Sequence, residues 1–176
     1  MGRLYYITGG AGSGKSEYAE QLAERLHAEL AGPLYYVATM HPAPRDSDAA
    51  ARIAKHQTRR AGRGYTTIEC PTDIAQLRAQ TLKNAVFLLE DLTNLYANEV
   101  YGTSGHPHEI VAPLLELTQQ SGAVIIVANE LYSDGIAYAP ETDRFLRDLA
   151  GLAAELSAAA DQVTEVVYGI PVQLKA

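Results

Sequence analysis

Short apolar runs alternate with longer stretches of helical periodicity from one end of the chain to the other. Residues 4–8 read as a first strand. Residues 16–30 follow with apolar side chains at Tyr18, Ala19, Leu22, Leu26 and Leu30, the spacing of one helix face. Residues 34–38 form a second strand, and the two prolines of 41–47 make that segment loop. Asp46 or Ser47 is positioned to cap a helix over 48–60. A third strand is expected over 65–69, then a short helix opened by Thr72 or Asp73 and running to Gln80. Residues 85–90 form an unbroken apolar run ending in an acid, the pattern of a strand buried on both faces.

Beyond it, 92–101 and 108–121 read as helices, 123–128 as another buried strand, 131–140 as loop and 141–160 as the longest helix. The chain closes with strand patterns over 162–168 and 170–174 about Gly169, a terminal hairpin. This alternation predicts a single α/β domain over 1–176, a mostly parallel sheet flanked by helices. There is no internal repeat, linker or low-complexity tract.

Composition narrows the classes of function. The 176 residues carry 21 acids against 14 Lys and Arg, a formal charge of −7. That balance gives no general attraction for nucleic acid or an anionic membrane. One cysteine, Cys70, excludes an intramolecular disulfide and a multi-cysteine metal site. No apolar run reaches the roughly 18 residues of a membrane span, and the N-terminus enters a strand directly. A cytoplasmic protein with no membrane span and no nucleic-acid partner is expected.

The strongest motif lies between the first strand and the first helix. Gly9, Gly10, Ala11, Gly12, Ser13, Gly14, Lys15 and Ser16 satisfy G-x-x-x-x-G-K-[ST] in the context that this pattern requires. The glycines let backbone N–H groups approach phosphates without a Cβ in the way. The helix N-terminus adds its positive end. Lys15 supplies a point charge to the β- and γ-phosphates, and Ser16 can hold Mg²⁺. The motif makes the expected fold that of a P-loop NTPase, RecA-like. Such a loop also needs an acid at the end of a neighbouring buried strand. Glu90 fits and Asp91 competes, because both stand at the strand's C-terminal end, where ligands of open α/β sheets bind.

Arg52, Lys55, His56, Arg59 and Arg60 concentrate charge in an acidic chain. On a helix, Arg52, His56 and Arg59 or Arg60 share one stripe. This is either a solvated face or a triphosphate site with an imidazole at its centre. Neutral imidazole can attack phosphorus near physiological pH. Flanking guanidiniums would stabilise the developing charge on the phosphoryl oxygens. His27 lies on the first helix, His106 and His108 flank a proline, and His41 borders the end of the second strand.

Taken together, these residues resemble the bifunctional adenosylcobinamide kinase and adenosylcobinamide-phosphate guanylyltransferase family of cobalamin biosynthesis, over nearly the whole length. The resemblance runs through TGG-x-x-SGKS at Thr8 to Ser16, the strand ending Tyr36 to Thr39, and R-I-x-x-H-x-x-x-R at Arg52 to Arg60. It continues with T-x-E at Thr67 to Glu69, L-L-[DE]-x-L-T at Leu88 to Thr93, and Asn129-Glu130. It closes with R-D-x-A-G at Arg147 to Gly151, Ala158 to Asp161 and the V-x-G-I hairpin.

The resemblance implies two reactions. A nucleoside triphosphate, ATP or GTP, phosphorylates the aminopropanol hydroxyl of adenosylcobinamide. His56 then takes GMP from GTP as a phosphoramidate, and cobinamide phosphate displaces it to give adenosylcobinamide-GDP. It further implies catalytic roles for His56, Lys15 and Glu90, and Mg²⁺ at Ser16 and Glu90. Nucleotide contacts are implied along residues 9–16 and at Thr39, Met40, His41, Arg52, Gln57, Arg59, Arg60, Glu69 and Glu90. A homo-oligomer, a trimer, is implied as well.

The chain departs from the family pattern at Gly12 (usually Arg), at Ala61 after the histidine segment, over 131–140, and at Ala154-Glu155. All but Gly12 lie outside the P-loop, and those bear on corrinoid recognition more than on nucleotide chemistry. Two other readings remain open: a P-loop kinase for another small hydroxyl substrate without the guanylyl step, and a GTP-binding regulatory module without turnover.

Overall fold

The computed structural model describes residues 2–40, 58, 62–80, 82–102 and 109–176. Along the chain the elements run β1 (Arg3–Thr8), α1 (Lys15–Leu30), β2 (Leu34–Ala38), β3 (Tyr65–Glu69), a 3-10 helix (Ile74–Ala79) and β4 (Val86–Glu90). They continue with α2 (Leu92–Tyr101), α3 (Val111–Gln120), β5 (Ala123–Val127), α4 (Pro140–Ala159), β6 (Gln162–Val167) and β7 (Ile170–Lys175). The strands form one seven-stranded sheet in the order β3-β2-β4-β5-β1-β6-β7. All neighbours are parallel except β6 and β7, which pair antiparallel as the terminal hairpin.

The central strands are apolar on both faces because both faces are covered. Tyr5, Ile7, Tyr36, Leu88 and Ile125 pack against Ala19, Leu22, Ala23 and Leu26 of α1. On the other face, Tyr6, Val37, Phe87, Leu89 and Ile126 pack against Leu92 and Leu95 of α2, Leu114 of α3, and Leu149 and Leu156 of α4. Every residue of β5 is buried, as are the first four of β4. Such burial is the main favourable term in folding, about 1.5–3 kcal/mol for each large apolar side chain.

Several expected boundaries shift. The short helix after β3 is a 3-10 helix, and Asp73 stands at its cap position with no side-chain bond to the helix. The Asp73 N–H instead donates to Oε1 of the buried Glu99 at 2.7 Å, which ties this corner to α2. The helix expected over 108–121 starts at Val111. Of the helix expected over 48–60, only Thr58 is described, and it is helical; the rest, His56 included, lies outside the described residues. Arg63, which leads into β3, is held to α1 by Glu20 at 3.1 Å and Glu24 at 2.9 Å.

Because six strands run the same way, their C-terminal ends lie along one edge of the sheet. Thr8, Ala38, Glu69, Glu90, Val127 and Val167 mark that edge, where parallel α/β sheets bind ligands.

Candidate active site

The loop from β1 into α1 is built around its glycines. Gly9, Gly12 and Gly14 all have positive φ, at 152°, 70° and 92°. A Cβ on Gly9 would lie 2.5 Å from the Val166 carbonyl oxygen, inside contact distance, so only glycine fits there. The Ser13 N–H donates to the Gly10 oxygen at 3.2 Å, and the Tyr18 N–H to the Gly14 oxygen at 3.1 Å. Gly10, Ala11 and Gly12 are exposed along the rim.

Lys15 opens α1 and folds back over the loop. Its Nζ donates to the Gly10 oxygen at 3.0 Å, and the residue is buried. Burial pulls its pKa below the ordinary lysine value, while the Asp91 and Glu90 carboxylates pull the other way. Burial favours losing the proton and the nearby acids favour keeping it. A phosphate entering the loop would add to the acids' side.

The two acids at the end of β4 separate cleanly. Glu90 faces the loop: Ser16 Oγ donates to its Oε1, and the Tyr36 hydroxyl donates to its Oε2 at 3.3 Å. Asp91, next along a cis peptide bond, caps α2 by accepting the Asn94 N–H at 2.7 Å and also accepts from Asn129 Nδ2 at 3.0 Å. Burial pushes the Asp91 carboxyl above the ordinary aspartate value, partly offset by the Asn94 hydrogen bond. So Glu90 is the acid paired with the P-loop serine, and Asp91 lies beneath it as a structural cap within electrostatic reach of Lys15.

Thr39, expected as a nucleotide contact, is fully buried with its hydroxyl committed. It accepts the Asp91 N–H at 2.7 Å and donates to the Asp91 carbonyl at 2.8 Å. What it offers the site is the placement of the Glu90–Asp91 turn. Met40 follows, half-buried. Glu69 is exposed at the end of β3, and the register aligns it with Ala38 and Ala38 with Glu90. Glu69 and Glu90 therefore stand at one level, two strand spacings or about 10 Å apart. His41, Arg52, His56, Gln57, Arg59 and Arg60 lie outside the described residues.

Sequence reasoning missed three contributors. The Tyr36 hydroxyl on Glu90 was hidden inside a strand's apolar pattern. Asn129, quoted only as part of a motif, is the side-chain partner of Asp91. The β6–β7 turn reaches back to the P-loop, where the Gly169 N–H donates to the Ser13 oxygen at 2.7 Å. None of these long-range contacts has a signature in local spacing.

The donor set fits a magnesium nucleotide. Ser16 and Glu90 offer hydroxyl and carboxylate oxygens, the hard ligands that Mg²⁺ takes one or two at a time from protein, with phosphates and water completing the shell. Among the described residues, no group of three or more His, Cys, Asp or Glu could hold a metal ion. Ser13 Oγ is buried without a hydrogen-bond partner inside the loop.

Comparison with known proteins decides the family. Residues 5–174 match the family described as cobinamide kinase / cobinamide phosphate guanyltransferase. The chain belongs to that family. It is 33% identical to the bifunctional adenosylcobalamin biosynthesis protein CobU of Escherichia coli (strain K12), over 98% of this chain and 99% of that protein. It is 30% identical to the bifunctional adenosylcobalamin biosynthesis protein CobP of Pseudomonas aeruginosa, over 96% and 95% of the two chains.

Among solved structures, it is similar to an ATPase domain, with a TM-score of 0.53 and 11% identity over 93% of this chain and 68% of that one. It is also similar to the flagellar accessory protein FlaH of Methanocaldococcus jannaschii, with a TM-score of 0.54 and 12% identity over 98% and 78%. These likenesses concern the fold, and they bear out the P-loop NTPase architecture. Family membership makes the chain an enzyme of cobinamide phosphorylation and guanylyl transfer, the pair of activities expected from its resemblance. Among the described residues, no helix is long and apolar enough to cross a membrane.

Proposed function

We propose that one domain, residues 1–176, carries out both reactions on adenosylcobinamide at a single triphosphate site, and that GMP passes through a covalent bond to His56. The observation that carries this reading is the P-loop with its acid: Lys15 folded over the glycine turn and Ser16 hydrogen-bonded to Glu90. Mg²⁺, bound there with the nucleotide, supplies charge neutralisation at the phosphoryl oxygens. Ser16 and Glu90 would hold it. Lys15 and the loop N–H groups orient the triphosphate and balance its charge.

In the first reaction the substrate hydroxyl oxygen attacks the γ-phosphorus of ATP or GTP, the bond to the β–γ bridging oxygen breaks, the nucleoside diphosphate leaves, and the hydroxyl proton passes to solvent. In the second, an imidazole nitrogen of His56 attacks the α-phosphorus of GTP and pyrophosphate leaves. An oxygen of cobinamide phosphate then attacks the same phosphorus, the P–N bond breaks, and the imidazole departs protonated. Imidazole suits this step because its ordinary pKa lets it serve as nucleophile and, once protonated, as leaving group.

The basic stripe at Arg52, Arg59 and Arg60 would surround the α-phosphate during transfer. Gln57 and the Thr39–Met40–His41 turn would border it, and Glu69, which is not committed to the metal, would accept hydrogen bonds from the guanine edge. A homotrimer is the proposed assembly. The test separates the half-reactions: His56→Ala should phosphorylate adenosylcobinamide at the parent's rate yet form no adenosylcobinamide-GDP. Equal loss of both activities in a folded variant would contradict the division of roles.

A further inference from the structure

The two residues that turn β6 into β7 are both left-handed, Tyr168 with φ 49° and Gly169 with φ 80°. A two-residue turn of this kind favours Asn, Asp or Gly at its first position. A tyrosine there places Cβ against its own following carbonyl, at a cost of about 1–2 kcal/mol. Packing does not offset that cost, because Tyr168 is 94% exposed. A residue that breaks the local rule and gains nothing inside this chain's fold is free for a contact outside it.

The turn is also fixed in place. The Gly169 N–H donates to the Ser13 oxygen at 2.7 Å, and a Cβ on Gly14 would stand 3.3 Å from the Gly169 Cα. The exposed ring is thus carried on backbone bonded to the P-loop, within one side chain's length of it.

Strand order gives the direction. Ser16 and Glu90 mark the end of the site where the metal and the β- and γ-phosphates belong. Glu90 ends β4, which β5 separates from β1, whereas β6 is the other neighbour of β1. A triphosphate whose terminal groups lie toward β4 sends its α-phosphate, ribose and base the opposite way, toward the hairpin.

We propose that Tyr168 is a stacking platform for the nucleobase of the triphosphate donor in the phosphorylation step. This rests on the reading that the P-loop grips a nucleoside triphosphate. It adds a base position on the flank away from Glu69 and Glu90. Stacking is tolerant of base identity because every base has a π-face, so the phosphorylation step accepts ATP and GTP with similar affinity.

The test uses Tyr168→Asn, because Asn-Gly is a preferred pair for this turn and keeps the hairpin while removing the ring. The dissociation constants of Mg-ATP and of inorganic tripolyphosphate are measured by calorimetry on the full chain. The expected result is an ATP Kd raised about tenfold or more, an unchanged tripolyphosphate Kd, and parent-like ATP binding in Tyr168→Phe. In the phosphorylation assay the KM for ATP rises while kcat holds.

Tyr168→Asn binding ATP as tightly as the parent would overturn the proposal, and so would an equal weakening of tripolyphosphate, which would mark a structural role. If the parent itself bound neither ligand, the P-loop reading would fall, and the stacking role with it.

Discussion

Ser16 and Glu90, 74 positions apart in sequence, meet through a hydrogen bond from the serine hydroxyl to the glutamate Oε1. This contact joins the first turn of α1 to the end of β4, and it is where the proposed function places a magnesium nucleotide. Glu90→Gln keeps the shape but removes the carboxylate charge. It should raise the Mg²⁺ concentration needed for half-maximal activity by about tenfold or more in both half-reactions. Magnesium titrations of the two assays check this, and an unchanged requirement would remove Glu90 from the metal site.

Asp91 has a different task. It caps α2 through the Asn94 N–H and bonds Asn129. Asp91→Ala should lower stability by about 1 kcal/mol, the usual value of a lost cap. Asp91→Ser, which restores an N-cap acceptor, should recover most of it. Urea midpoints of the three proteins measure this. The Mg²⁺ requirement of Asp91→Ser should stay near the parent's, in contrast to Glu90→Gln.

Cys70 supplies a pH prediction. It is buried, and burial pushes its thiol from 9.0 up to about 11. Between those values the unfolded chain has released the thiol proton while the native chain keeps it. The unfolded state then binds fewer protons, so stability falls as pH rises through that window. The thiol contributes its full stability below pH 9.0 and loses it as the native value of about 11 is approached. A difference of that size corresponds to roughly 2–3 kcal/mol. Denaturation at pH 8 and pH 11 should show the parent losing about that much relative to Cys70→Ala. Parallel pH profiles for the two proteins would contradict it. At pH 8 the native thiol should also resist iodoacetamide until the protein unfolds.

Much of this architecture was legible because parallel strands buried on both faces leave a plain trace. Val86-Phe87-Leu88-Leu89 and Ala123 to Val127 are unbroken apolar runs, and each is the buried strand it reads as. The P-loop was legible because its chemistry needs particular residues at fixed spacing. The choice between Glu90 and Asp91 was not, since neighbouring residues at a strand end obey no alternation, and only the partners Ser16 and Asn94 separate them. Nor was the inward turn of Thr39, which depends on the Asp91 backbone lying beside it. Strand order was hidden too, because parallel strands with similar composition carry no pairing code. The hairpin's grip on the P-loop is a backbone contact between Gly169 and Ser13 that no side-chain pattern encodes.

The central claim is that a guanosine nucleotide held by this P-loop gives up GMP to His56. The most direct measurement is incubation of the protein with Mg²⁺ and GTP labelled at the α-phosphorus, followed by denaturation and counting of protein-bound label. The account predicts label that survives denaturation and alkali, is released by acid, and is absent from His56→Ala. It also predicts no bound label when GTP carries the label at the γ-phosphorus. Protein that binds GTP yet retains no α-label, or retains it equally in His56→Ala, would contradict the account.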